Sequence, residues 1–201
     1  MATIEPRQEA KKLFKKLIEY FFRFQKYAIL IRIKKYVCGA MINQSVYLLI
    51  GSNVGDRRKH LSDALWAIET RAGVIRGRSS VYETAAWGKT DQASFYNQAI
   101  RITTFLNAGE LLAQLQLIEK SLGRERKEKW GERSIDIDIL FYGDHIIDTP
   151  DLKVPHPELQ HRRFALVPMS EIADDLIHPK LYQTIHELLK NCSDTLPVKK
   201  I

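Results

Sequence analysis

The sequence predicts an α+β fold, because strand-like and helix-like segments follow one another in a characteristic order. Apolar or alternating runs typical of strands occur at residues 46–50, 74–82, 96–104 and 134–141. One amphipathic helical segment follows the first strand and another follows the third. The order strand, helix, strand, strand, helix, strand is that of the ferredoxin-like βαββαβ core with an antiparallel sheet. Residues 162–173 and 181–190 predict a C-terminal helical addition.

The first helix is predicted to begin after a turn at residues 51–55. Asp56 is suited to its N-terminus, because a carboxylate accepts hydrogen bonds from the free backbone N–H groups of the first turn. Gly73 is expected to lie just beyond its end. Its apolar face carries Leu61, Leu65 and Ile68.

The second helix has the clearest local signal. Asn107 and Glu110 have the spacing of a capping box, in which each side chain bonds the backbone N–H of the other residue. Gly123 follows the last apolar residue and predicts the end of the helix. The apolar face carries Leu111, Leu115, Ile118 and Leu122.

The fourth strand carries two carboxylates. Side chains alternate between faces along a strand, so Asp136 and Asp138 share one face, about 7 Å apart. Ile135, Ile137, Ile139 and Phe141 are predicted on the other, core-facing side. Two neighbouring like charges repel unless a positive group lies between them, and Mg²⁺ prefers such oxygen ligands. A solvated outer face paired with arginines is the alternative. Gly143 and Asp144 predict a hairpin turn into residues 145–147.

The polar segment at residues 124–133 predicts a loop rich in basic side chains. Arginine donates two parallel hydrogen bonds to phosphate, and carboxylates for a metal beside guanidinium groups are typical of phosphoryl transfer. The turn at residues 51–55 lacks the Gly-Lys-Ser/Thr of a phosphate-binding P-loop. A solvated loop without a ligand is the alternative. The basic residues are Arg124, Arg126, Lys127, Lys129 and Arg133.

Composition excludes several classes of protein. With 45% apolar and 27% charged residues among 201, the chain is neither disordered, collagen-like nor a multi-span membrane protein. Residues 1–40 contain ten basic and three acidic residues, so they carry the whole net charge of +7. The two cysteines, Cys38 and Cys192, show no disulfide or metal-binding spacing, which favours a reducing, cytoplasmic setting.

Residues 1–40 allow three interpretations. Leu13, Leu17, Phe21 and Phe24 have helical spacing among lysines, as in a basic amphipathic helix that binds a surface. A packed structural helix has the same pattern. Alternatively, translation begins at Met41, directly before the first strand, and residues 1–40 are a wrongly assigned extension. In each case we expect a separate segment at 1–40 and one domain at 41–201.

Several blocks of the chain resemble the 6-hydroxymethyl-7,8-dihydropterin pyrophosphokinase family of the folate pathway. The resemblance covers about residues 44–190. Its most specific part is Trp-Gly-x-Arg-x-x-Asp-x-Asp at residues 130–138, followed by Val-Pro-His at residues 154–156. Further matching blocks, in the same order as in the family, lie at residues 46–56, 82–84, 95–97, 123–126 and 162–164.

The resemblance implies the ferredoxin-like fold and a reaction. The family transfers pyrophosphate from ATP to the hydroxymethyl group of the dihydropterin and releases AMP. Two Mg²⁺ ions are then expected between the ATP phosphates and the carboxylates of Asp136 and Asp138. Arg124 and Arg133 correspond to the loop arginines that stabilise the transferring group and assist the chemistry. Residues implied on the nucleotide and phosphate side are Glu119, Arg126, His156 and Arg162.

On the other side, the resemblance implies a pterin ring stacked between Phe95 and Phe164. Asn97 and the backbone near Thr84 are implied to recognise the polar edge of the ring. The implied lid contacts are Trp87 and Trp130. The chain departs from the family in that Phe95 stands where many members have Tyr, and Ala85 where Pro is frequent.

The expected partners are therefore ATP and hydroxymethyl-dihydropterin, without nucleic acid, in a monomer that would meet a membrane only through residues 1–40. Two other functions stay open from the sequence. One is a non-enzymatic module that docks to acidic lipid or nucleic acid through its basic N-terminus. The other is a different metal-dependent phosphoryl transferase, or a metal nuclease, on the same fold.

Overall fold

The computed structural model describes residues 43–87, 91–124 and 131–201. The interpretations of residues 1–40 therefore lie outside the described residues. A six-stranded antiparallel sheet contains β1 (Gln44–Ser52), β2 (Val74–Arg78), β3 (Tyr82–Thr84), β4 (Phe95–Thr104), β5 (Asp136–Tyr142) and β8 (Val198–Lys200). A two-stranded sheet pairs β6 (Ile147–Asp148) with β7 (Lys153–Val154). The helices are α1 (Arg57–Arg71), α2 (Ala108–Ser121), α3 (Arg163–Ala173) and α4 (Ile185–Lys190), with a 3-10 turn at Leu159–His161.

The strand order of the large sheet is β5-β1-β4-β3-β8, and β2 also pairs with β4. Helices α1 and α2 cover one face, where Ile50, Ile68 and Ile118 are buried together. Helices α3 and α4 cover the other face, where Leu49 packs in one cluster with Leu166. Because both faces of β1 are covered, its central residues 46–50 are continuously apolar rather than alternating. The predicted α+β class and antiparallel sheet are confirmed.

The predicted helix caps are confirmed. Asp56 accepts a hydrogen bond of 3.0 Å from the backbone N–H of Lys59. Asn107 and Glu110 form both hydrogen bonds of a capping box, each of 2.9 Å. Gly123 has a φ of +83°, a left-handed conformation that glycine adopts without strain, and the chain leaves α2 there. In the described parts of the chain, no helix is long and apolar enough to cross a bilayer.

Three local predictions are wrong. The single strand predicted at residues 74–82 is interrupted between β2 and β3, where the Ser79 hydroxyl accepts the Ala99 N–H (3.0 Å) in place of a strand carbonyl. The segment after Gly143 does not form the predicted hairpin with β5, because β6 pairs with β7 instead. Phe141 does not share the face of Ile139, since a bulge opposite Tyr47 and Leu48 reverses the alternation of β5. Strand β8, which pairs with β3, had no clear sequence pattern.

Candidate active site

The two predicted carboxylates lie side by side at the start of β5. Asp136 and Asp138 line one cleft, and their side chains are 17% and 36% exposed. Desolvation in this cleft, followed by repulsion from Asp136, raises the pKa of the Asp138 carboxyl. Two adjacent carboxylates, one of them with a raised pKa, form a site that favours a positively charged occupant.

Three arginines contact this pair. The basic loop predicted Arg124 and Arg133 here, and the family resemblance implied Arg162 on the phosphate side. Arg124 Nη1 lies 2.7 Å from Asp136 Oδ1. Arg133 forms an ion pair with the same carboxylate. Arg162 Nη1 lies 3.9 Å from Asp138 Oδ2 and so contributes a weaker contact. Asp136 therefore holds the two arginines that flank residues 125–130, whereas Asp138 has less positive charge close to it.

Glu119 supports this cluster from beneath. It is 4% exposed, and burial raises the pKa of its carboxyl. Its Oε1 accepts a hydrogen bond from the backbone N–H of Ile137 (2.8 Å) and forms an ion pair with Arg124. Glu119 thereby connects the last turn of α2 to the strand residue between the two aspartates. These contacts fix the position of the two aspartates relative to Arg124.

His156 and Arg162 form the far side of the charged region. Their side-chain nitrogens Nε2 and Nη1 are 3.3 Å apart. Burial and the adjacent Arg162 charge lower the pKa of His156 to about 4, so the imidazole is neutral at pH 7. The Arg162 guanidinium also lies 5.0 Å from the ring of Trp87 and 5.8 Å from that of Phe164. Arg162 therefore stands between the charged region and the aromatic region of the cleft.

The aromatic region is built from β3, β4 and the start of α3. Phe95, Phe164 and Trp87 line the same cleft as the aspartates. Asn97 Nδ2 donates a 2.8 Å hydrogen bond to Thr84 Oγ1, and both residues are almost fully buried. The structure thus brings together all of the predicted site residues that it describes. Arg126 and Trp130 lie outside the described residues.

Gly51 and Asn53 are site residues that the sequence did not reveal. A Cβ at Gly51 would lie 2.5 Å from Asn97 Oδ1, so only glycine lets β1 approach the amide this closely. Asn53 exchanges two hydrogen bonds with Arg133: its Oδ1 accepts the Arg133 N–H (2.7 Å) and its N–H donates to the Arg133 carbonyl (3.1 Å). The only sequence feature that pointed to these two residues was the predicted turn at residues 51–55, which contains glycine and asparagine.

A metal site here would rest on the two aspartates. Among the residues that the structure describes, no group of three or more His, Cys, Asp and Glu side chains converges as a metal cluster. Mg²⁺ is commonly held by one or two carboxylates, with substrate phosphates and water completing its six ligands. Asp136 and Asp138 therefore fit a magnesium site that a phosphorylated ligand completes.

Comparison with known proteins shows the family. The model of the 7,8-dihydro-6-hydroxymethylpterin-pyrophosphokinase (HPPK) family matches residues 47–174. An Aquifex aeolicus 2-amino-4-hydroxy-6-hydroxymethyldihydropteridine pyrophosphokinase is 44% identical over 135 residues, which is 67% of this chain and 84% of that protein. The enzyme of the same name from Bacillus subtilis is 43% identical over 136 residues, or 67% and 81% of the two chains.

Two further matches are to longer proteins. The folic acid synthesis protein fol1 of Pneumocystis carinii is 41% identical over 137 residues, which cover 68% of this chain but 18% of that protein. A crystal structure of Plasmodium falciparum HPPK-DHPS has a TM-score of 0.62 at 20% identity and shows the same fold. The similarity covers 77% of this chain and 45% of that one, so this chain spans less than half of the solved protein.

Proposed function

The chain belongs to the 7,8-dihydro-6-hydroxymethylpterin-pyrophosphokinase family, and we propose that its cleft carries out the reaction of that family. Pyrophosphate is transferred from ATP to the hydroxymethyl group of 6-hydroxymethyl-7,8-dihydropterin, which gives the pterin diphosphate and AMP in folate biosynthesis. The observation that carries the proposal is one cleft lined both by Asp136 and Asp138 with arginines and by Phe95 and Phe164.

We assign Asp136 and Asp138 to two Mg²⁺ ions that arrive with ATP. Magnesium would neutralise charge on the phosphate oxygens. Arg124 and Arg133 contact the Asp136 carboxylate. They therefore lie close enough to bind phosphate oxygens beside a cation that Asp136 would hold.

Arg124 and Arg133 are the residues we propose to stabilise the transferring group, because guanidinium forks match phosphoryl oxygens. In-line displacement needs positioning and charge neutralisation more than covalent help. Glu119 orients Arg124 through their ion pair. Arg162 and the neutral His156 would bind the nucleotide phosphates, and Arg126 is proposed for the same side.

The aromatic region is proposed to hold the pterin. Phe95 and Phe164 offer ring faces for stacking, which selects a flat heteroaromatic. Asn97 and Thr84 would recognise its polar edge, since buried amides and hydroxyls reject ligands that leave them without hydrogen bonds. Trp87 and Trp130 are proposed to close over the occupied cleft.

Three further assignments complete the proposal. The β5-β1-β4 order and the antiparallel pairing of β2 with β4 support a ferredoxin-like core. We place the enzyme domain at residues 41–201, apart from the basic segment at 1–40, because the family match begins at residue 47. We also propose that the protein is a cytoplasmic monomer. We propose small molecules as its ligands, because residues 41–201 carry no net charge to attract nucleic acid.

The test is a nucleotide product assay with the full chain. ATP, Mg²⁺ and hydroxymethyl-dihydropterin together should give AMP and the pterin diphosphate in equal amounts, and omission of the pterin or the cation should stop the reaction. ADP as the product, or turnover without pterin, would instead indicate a different phosphoryl transferase. Binding of acidic lipid or nucleic acid without any turnover would support a non-enzymatic module.

A further inference from the structure

Four side chains form a closed network on the outside of the aromatic region. Arg57 Nη1 donates to the Ser94 carbonyl (2.7 Å) and the Ser94 hydroxyl (2.8 Å), and it lies 3.3 Å from Glu83 Oε1. The Ser94 hydroxyl in turn donates to Glu83 Oε1 (2.7 Å). The Arg57 guanidinium also lies 3.6 Å from the centre of the Tyr96 ring. We call these four residues the Arg57 clamp.

The clamp residues alternate along the strands with the residues proposed to bind pterin. Glu83 precedes Thr84 on β3, whereas Ser94 and Tyr96 flank Phe95 at the start of β4. The register pairs Glu83 with Tyr96 and Thr84 with Phe95. Because neighbouring side chains of a strand point to opposite faces, the clamp holds from behind the same two strands whose front faces the cleft.

Arg57 is the member that reaches outside these strands. It is the first residue of α1, shortly after the turn that connects β1 to this helix. Its side chain is only 23% exposed. It donates hydrogen bonds beside β3, a strand of only three residues. Strand β3 is paired with β4 on one side and with β8 on the other, and Arg57 adds the side-chain link from these paired strands to α1.

We propose that Arg57 is a positioning residue for the pterin side of the cleft: it holds the paired strands β3 and β4 against α1 from behind, without touching substrate. The inference rests on the proposed function. Arginine is required because one planar guanidinium must stack on Tyr96 and donate to Ser94 together. Lysine keeps the charge but cannot do both. Loss of the clamp should therefore weaken pterin binding and leave the phosphate side unchanged.

The experiment compares Arg57→Gln with Arg58→Gln. Arg58 is an exposed neighbour whose guanidinium lies 5.7 Å from the same ring. We expect Arg57→Gln to raise the KM for pterin about tenfold, because small displacements of binding groups have large effects, while kcat and the KM for ATP stay within about twofold. Arg57→Lys should behave like Arg57→Gln, whereas Arg58→Gln should behave like the wild type. Thermal melting shows that each variant is folded.

The outcomes separate this inference from the proposed function. A wild type that forms no AMP from ATP and pterin would overturn both. An active wild type with an unchanged pterin KM in folded Arg57→Gln would overturn the positioning role alone. Equal increases in both KM values, or the same change in Arg58→Gln, would show a general loss of structure and would also overturn it. Ser94→Ala, which removes one hydroxyl from the clamp, should show the same KM pattern with a smaller increase.

Discussion

Around the start of β5, six charged side chains take part in four ion pairs with one another. The part of the cleft at β3 and β4 is instead lined by an amide, a hydroxyl and aromatic rings. In the charged region, Asp136 is shared by Arg124 and Arg133, and desolvation raises the pKa of Asp138. In the aromatic region, the Asn97 to Thr84 hydrogen bond joins neutral groups that are already paired.

The difference teaches how the two regions meet their ligands. Charged side chains that form ion pairs with one another must exchange those partners when a cation or a phosphate binds. Neutral groups that are held by a strand ladder need no exchange, so the aromatic region is already shaped for a ring. Substitutions in the charged region should therefore affect turnover, whereas substitutions in the aromatic region should affect binding of one substrate.

The largest effect is expected from Asp138→Asn. This change removes a proposed magnesium ligand, and loss of several kcal/mol of charge stabilisation lowers kcat by about 10³-fold. The free energy of unfolding should not fall, because burial and Asp136 already disfavour the charged carboxylate that is removed. The measurements are steady-state AMP formation and thermal melting.

Asp148→Asn is the matched control for this prediction. Asp148 is a surface carboxylate that pairs with Lys153 on β6 and β7, and its loss should leave kcat unchanged. A normal kcat in Asp138→Asn would contradict the metal assignment. If kcat fell only together with the melting temperature, the loss of activity would reflect lost stability. Asp138 would then have no separate role in turnover.

A smaller effect is expected from Asn97→Leu in the aromatic region. The substitution leaves the Thr84 hydroxyl without its donor and removes an amide from the proposed pterin edge. A polar group on the bound pterin that is left without its hydrogen-bond partner costs about 1–3 kcal/mol, so the KM for pterin should rise about 5- to 150-fold. The KM for ATP in the same variant serves as the internal control. An equal rise in both KM values would mean that the two regions do not act separately.

The sequence predicts the charged region better than the aromatic one. The alternation of β5 places Asp136 and Asp138 together, and Arg124 and Arg133 precede them closely in the chain, so local pattern is sufficient. Phe95 and Phe164 come together only in the folded chain, and residue pattern alone does not mark them. Their pairing was expected solely from the resemblance to a family.

Long-range contacts explain what pattern reasoning could not find. Gly51 meets Asn97 because β1 pairs with β4, and the need for glycine follows from that register. Asn53 meets Arg133 across eighty residues of chain. Phe141 was placed on the wrong face because a bulge, which depends on the partner strand, reverses the alternation after Ile139.

The smallest effect is expected from the pH dependence of stability at His156. Burial and Arg162 lower its pKa to about 4 from an ordinary 6.5. Between these values the unfolded chain binds a proton that the folded chain does not, so the free energy of unfolding decreases as the pH falls from 6.5 towards 4. Allowing for the partial exposure of the ring, we expect this contribution to be on the order of 1 kcal/mol.

Asp138 acts in the opposite direction over the same range. Its pKa is raised, so the folded chain binds a proton first and gains stability as the pH falls. The difference in unfolding free energy between the wild type and His156→Asn isolates the histidine, because Asp138 is common to both. This difference should change between about pH 7 and about pH 4.5, whereas the corresponding difference for Asn97→Leu, which removes no titratable group, should stay constant. A constant difference for both variants would show that His156 titrates alike in the folded and unfolded chains, and would contradict the prediction.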